Sequence, residues 1–160
     1  MIFRFRARFE AFERFARNAA EALDASRAGP VQDGLLAASD VYMQAMRDRF
    51  AREGDGDWAP LADSTVRERE EKGYGDHPTL HRTGSLESSL QRGDGYHVID
   101  VTAAGVSEGT AHPNARFHQD GTDRMPARPI LVQPSPDTVD AVRTELAVGV
   151  SVALKNAAAG

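Results

Sequence analysis

The chain contains no cysteine, which excludes disulfide staples and thiolate chemistry and suits a protein made in a reducing cytosol. It has no apolar run near the roughly 20 residues of a membrane-spanning helix. The opening Met1-Ile2-Phe3-Arg4-Phe5-Arg6 lacks the continuous apolar stretch of a secretory leader. A basic excess is missing too: 24 acidic residues against 19 basic give a net charge of −5. That speaks against a dedicated DNA-binding module, where a basic face supplies most of the affinity. What is left is 160 residues, 41% hydrophobic and 27% charged. This is the makeup of a soluble globular domain long enough to bury about 70% of its unfolded surface.

Along the chain the apolar period changes several times. Phe3, Phe5, Ala7 and Phe9 alternate with Arg4, Arg6 and Arg8, the period of a half-buried strand. From Phe9 the spacing of Phe12, Ala16, Ala19 and Leu23 predicts a helix, supported by the i,i+4 pairs Glu10/Arg14 and Glu13/Arg17 and ended by Arg27-Ala28-Gly29-Pro30. A second helix is expected over about 31–53, with Leu36, Ser39, Met43, Met46 and Phe50 on one face and Leu35 and Tyr42 beside it. Gly54-Asp55-Gly56-Asp57 reads as a turn that Trp58 anchors to the core. Asp63 or Ser64 is expected to cap a short, charged helix over Thr65–Lys72 with little to bury, and Thr83 or Ser85 to cap another bearing Leu86 and Leu90. Strands are expected at Tyr96–Thr102, Gly105–Thr110 and Arg128–Val132, the first two joined by a turn at Ala103-Ala104. Ser135-Pro136-Asp137 signals the start of a last helix to about Lys155, with Val139, Val142, Leu146, Val150 and Ala153 in a stripe. The sum is an α+β fold: a small, mostly antiparallel sheet with helices packed on one face, long N-terminal helices and a C-terminal helix. One domain is expected over 1–160, helical over about 9–53 and α+β over about 58–155.

Chemical constellations are few. His77 and His81 are four apart, but Pro78 interrupts the helix that would align them, and a zinc site without cysteine needs three or four ligands from His, Asp and Glu. The acidic turn that contains Asp55 fails as a calcium loop, because its twelfth position is Val66 where a bidentate glutamate is required. His118 beside Asp120 suggests half of a hydrolase pair, with no nucleophile placed next to it. The Arg4/Arg6/Arg8 row suggests a nucleic-acid module, a contact with an acidic neighbour, or protection of a sheet edge. The run from Arg67 to Lys72 reads as a solvated, self-paired helix face. No catalytic residue, cofactor or metal is expected.

The most specific stretch is Phe117-His118-Gln119-Asp120-Gly121-Thr122, followed by Met125-Pro126-Ala127-Arg128-Pro129-Ile130-Leu131. It reads as a polar loop centred on Gly121, then a proline-bracketed arginine, then an apolar strand: a stiff presentation element. Arg128, held between two prolines, is expected either at a charged interface or as an internal clamp onto a helix C-terminus. His-Gln-x-Gly-Thr with Met-Pro-Ala-Arg-Pro resembles the signature of the virion-morphogenesis (tail-completion) proteins of tailed bacteriophages. Earlier pieces follow the family's order: Trp58-Ala59-Pro60-Leu61, Ser64-Thr65, Lys72-Gly73, then Leu80-His81-Arg82-Thr83-Gly84-Ser85-Leu86 with Ser89-Leu90, then Gly109-Thr110. Together they span about residues 35–131. Where the family usually has Tyr-Ala ahead of His-Gln, this chain has Asn114-Ala115.

The resemblance implies a structural virion protein at the head–tail junction or the head-proximal end of the tail. It would complete or cap the tail and join it to the DNA-filled head. It further implies a homo-oligomeric ring of about six copies, contacts with the tail tube and neck or head-completion proteins, and passage of double-stranded DNA without sequence-specific binding or a membrane. The residues expected to carry assembly or the family motif are Trp58, Thr83, Gly84, Leu86, His118, Gln119, Gly121, Thr122, Pro126, Arg128 and Pro129. Gly84 is expected at a close backbone approach. Glu68, Glu70 and Glu71 are expected to face a neutral or acidic lumen, and the first-strand arginines to face protein.

Overall fold

The computed structural model describes residues 3–5, 29–75, 78–102 and 105–158. Its elements run β1 (Phe3–Phe5), α1 (Gly29–Ala51), a 3-10 turn (Glu53–Gly56), α2 (Asp63–Glu71), α3 (Ser85–Ser88), β2 (His97–Thr102), β3 (Gly105–Thr110), α4 (Ala115–Asp120) and α5 (Pro136–Ala158). This is an α+β chain with a small sheet in the order β1-β3-β2, and β2 and β3 pair as an antiparallel hairpin. The helix and stripe expected between Phe9 and Leu23, Arg6, Arg8, His77 and the Ala103-Ala104 turn lie outside the described residues.

The chain divides into two compact units that interleave along the sequence. One comprises Met1–Phe3, Gln44–Val98 and Gly109–Gln133; the other comprises Arg4–Met43, Ile99–Glu108 and Pro134–Gly160. In the second, Val31, Leu35 and Ala38 of α1 and Val142, Leu146, Val150 and Ala153 of α5 are buried, so the period-3.6 stripes become the core. Leu36, expected on the α1 stripe, is only half-buried, while its neighbour Leu35 takes the inner place. Gly34 and Gly149 let the two backbones meet: a Cβ on Gly149 would stand 2.7 Å from both the Gly34 Cα and the Pro30 carbonyl. The Ser39 hydroxyl donates to the buried Glu108 carboxylate. α5 starts as its sequence signal predicts, the Ser135 hydroxyl accepting the Thr138 N–H at 3.2 Å and its carbonyl the Val139 N–H at 2.9 Å.

In the first unit Met46, Phe50, Trp58, Leu80, Leu86, Leu90, Ile130 and Leu131 are buried. Phe50 meets the Trp58 ring edge-on at 5.4 Å. The acidic turn needs its glycine for a second reason besides conformation, since a Cβ on Gly54 would fall 2.4 Å from the indole. Two caps differ from expectation. α2 begins at Asp63 with Ala62 at its N-cap and no side-chain cap, so neither Asp63 nor Ser64 plays that part. α3 follows Gly84, whose φ of 74° turns the chain directly into the helix, so neither Thr83 nor Ser85 is the N-cap. Nor is α2 without a buried side: Arg69 lies inside, and its Nη1 donates to the Pro78 carbonyl at 3.3 Å.

Candidate functional site

The motif pieces, scattered over some seventy positions, fold onto one another within the first unit. At the centre is the segment from Arg128 to Leu131. It was expected to be a strand, yet it joins no sheet, because side chains take the partners that a neighbouring strand would supply. The Gln119 side-chain carbonyl accepts the N–H groups of Ile130 and Leu131 at 2.9 and 3.0 Å, and its amide donates to the Leu131 carbonyl at 2.8 Å. Trp58 Nε1–H donates to the Pro129 carbonyl at 2.9 Å. The Arg128 N–H donates to the His118 carbonyl at 2.6 Å. One glutamine thus satisfies three backbone groups, and these polar atoms of an irregular segment are paired as buried ones must be.

Arg128 closes the same clamp from the other side. Its Nε and Nη2 donate to the carbonyls of Ala59 and Pro60, both at 2.7 Å, and the residue is 4% exposed. The arginine is therefore buried as an internal clamp. Its guanidinium grips the loop that follows Trp58, while its backbone N–H meets the C-terminal turn of α4. Pro126 and Pro129 explain the geometry: neither has an N–H to satisfy, so side chains complete the pattern between and around them.

His118, Gln119 and Asp120 do not form a loop; they are the last residues of α4, which Gly121 ends. Gly121 is confined twice. Its φ is 74°, and a Cβ there would lie 2.7 Å from the Ala127 nitrogen and 3.0 Å from the Met125 carbonyl. Thr122 and Met125 pair through both backbone bonds, at 2.8 and 3.2 Å, so the chain turns back against Gly121. The close approach expected at Gly84 is found here instead. At Gly84 an added Cβ would meet only the His81 ring, at 3.5 Å, and the positive φ is what requires glycine.

The second motif ties in through polar contacts that sequence reasoning did not anticipate. Leu86 and Leu90 are buried, and Ser89 beside them is fully buried, its hydroxyl donating to the Leu86 carbonyl at 2.6 Å and accepting from Thr110 at 2.8 Å. Thr110 Oγ1 in turn accepts the His112 N–H at 2.9 Å. The Ser89–Thr110 contact joins two motif pieces, and only their shared order hinted at it.

Neither histidine is arranged as a catalytic base. Asp120 is exposed and leans toward Arg116 at 3.8 Å, so it does not orient His118. His118 Nδ1 is buried without a partner among the described residues. Burial, and then the positive charge of Arg128 and the neighbouring His112, hold the imidazole below its usual range, which favours the neutral form. Ser85 Oγ does lie 3.2 Å from His112 Nε2. However, His112 Nδ1 accepts the Asn114 N–H at 3.2 Å, and burial favours the neutral ring. The single ring proton then sits on Nε2 and is donated to the serine, the wrong direction for activating a nucleophile. Neither His118 with Asp120 nor His112 with Ser85 is thus arranged as a base beside a nucleophile. No group of three His, Asp or Glu side chains that could hold a metal occurs among the described residues.

Thr83, Leu86, His118, Pro126 and Arg128 share one groove of about 620 Å³, whereas Trp58 lines a second, more open one of about 740 Å³. Gln119, Gly121 and Pro129 support the first groove from behind, through the bonds and contacts described above. No helix among the described residues is long and apolar enough to cross a membrane. No curated protein and no solved structure matches the chain significantly. The model of the phage virion morphogenesis family matches residues 13–147, spanning every piece of the clamp. The chain belongs to the phage virion morphogenesis family, and it is a virion-associated structural protein.

Proposed function

We propose that this protein completes or caps the head-proximal end of a phage tail and joins it to the DNA-filled head as a homo-oligomeric ring of about six copies. The observation that carries the reading is what the motif residues do. Trp58, Gln119, Gly121 and Arg128 are occupied in fixing the shape of one surface, with no reacting group at its centre. Shape held by buried hydrogen bonds is what a recurrent protein–protein contact needs, because little side-chain entropy remains to be lost on docking. Neighbours in the tail tube and the neck or head-completion proteins would be its partners. DNA would pass without sequence-specific contact, in keeping with the net charge of −5. Glu68, Glu70 and Glu71, exposed on α2, are the candidates for an acidic lumen.

Deleting the gene from the encoding phage or prophage tests this. The expected result is DNA-filled heads and tails that fail to join, with joining restored by the wild-type gene supplied in trans. Normally joined, infectious particles from the deletion would refute the role.

A further inference from the structure

The 620 Å³ groove is basic on a chain that is net acidic. Arg69, Lys72, Arg82, Arg124 and Arg128 line it, against the single carboxylate of Glu68. That carboxylate is taken by Lys72 at 2.5 Å. Exposed Arg82 is steadied over the Tyr74 ring at 5.4 Å and feels the Glu68 carboxylate only through space, without a salt bridge, and exposed Arg124 makes no salt bridge among the described residues. The deepest cation is the most telling. Arg128 is almost fully buried and every side-chain hydrogen bond shown for it goes to a neutral carbonyl, so its charge is not offset by a carboxylate. A buried charge without a counter-charge is costly unless something supplies one. Leu61, Leu80, Met125 and Pro126 give the same groove apolar walls.

We propose that this groove docks an extended, acidic segment of a partner protein, its carboxylates meeting Arg82, Arg124 and the Arg128 charge while intervening apolar side chains rest on the walls. The volume lies within the roughly 300–1,000 Å³ of sites that enclose a small ligand or a short stretch of one. Duplex DNA fits less well. A DNA-binding face that neutralises about 6–10 phosphates needs more than two exposed, unbridged guanidiniums. Docking here does not require the ring, so a monomeric protein would still show it.

The test uses the full chain and a fluorescein-labelled ten-residue peptide of alternating leucine and glutamate, followed by anisotropy at low salt. Saturable binding is expected. It should weaken at least tenfold in the Arg82→Glu/Arg124→Glu double variant and at least tenfold when the peptide's glutamates become glutamine. Arg143→Glu, on α5 outside the groove, should leave it unchanged. Both groove arginines are exposed, so folding is expected to survive and is checked by circular dichroism. Any of these results would overturn the proposal: no saturable binding, equal binding of the two peptides, binding indifferent to the double variant, or displacement of the peptide by a 20-base-pair duplex. Self-association that disappears in the double variant would overturn it in favour of a second copy as the occupant.

Discussion

In the unit that contains Trp58, distant segments are joined by polar side chains that stand in for missing backbone partners. In the unit that contains the α1–α5 pair, the two helices meet through apolar stripes and, at Gly34 and Gly149, through the absence of side chains. The clamp depends on directional bonds and on residues that offer the right donors and acceptors. The helix pair depends on shape alone, and its apolar stripes tolerate any change that keeps volume and period. The two should therefore fail differently: the clamp to changes of chemistry at constant size, the helix pair to changes of size at constant chemistry.

The largest effect is expected at Trp58. Trp58→Ala removes a buried indole, its edge contact with Phe50 and its bond to Pro129, and should cost about 3–5 kcal/mol in urea unfolding. Trp58→Phe should lose less, because the ring contact remains. Equal losses would mean that the hydrogen bond, and not packing, dominates there.

Gln119 shows how the clamp responds to a change of chemistry at constant size. Gln119→Leu keeps the size but strands the N–H groups of Ile130 and Leu131, and should cost about 2–3 kcal/mol. Gln119→Glu restores the acceptors yet turns a carboxylate oxygen toward the Leu131 carbonyl, and should be intermediate. A neutral Gln119→Leu would show that the clamp is not what orders this segment.

Gly149→Ala tests the steric side. Helix propensity alone would stabilise by up to about 1 kcal/mol. The added methyl would instead press on the Gly34 Cα and the Pro30 carbonyl, both backbone, and a net loss of about 1–3 kcal/mol is expected. A net gain would contradict the close approach.

The smallest effect is a pH dependence on the clamp side. His118 and His112 both have imidazole pKa values below the ordinary 6.5, chiefly through burial. A depressed histidine stabilises fully above its unfolded pKa, and that stability is lost as pH falls from about 6.5 toward the folded value. Between pH 7.5 and pH 5.5 the wild type should lose stability, and His118→Gln should lose less. An unchanged slope would show that His118 is protonated without penalty.

How legible this was in the sequence depended on the kind of interaction. Periodic features could be read directly: the buried stripe of α5, its Ser135-Pro136 start, the β2–β3 hairpin and the α+β class all follow from spacing and turn chemistry. The failures came where a side chain acts as backbone. Arg128–Val132 has a strand's composition, but Gln119 and Trp58 meet its polar groups, and nothing local to the segment says so. The α4 helix was hidden because His118 to Gly121 looks like a turn when its apolar anchor, Ala115, lies just upstream. The ordered motif indicated which residues stand together in sequence order. It did not indicate that they matter to one another.

If these residues fix a surface for building a ring, negative-stain electron microscopy of the purified protein, alone and mixed with tail tubes, will show it. Closed rings with cyclic symmetry and an open lumen are expected, seated on tube ends when tubes are present. Monomers in both samples, with tube ends left bare, would contradict it.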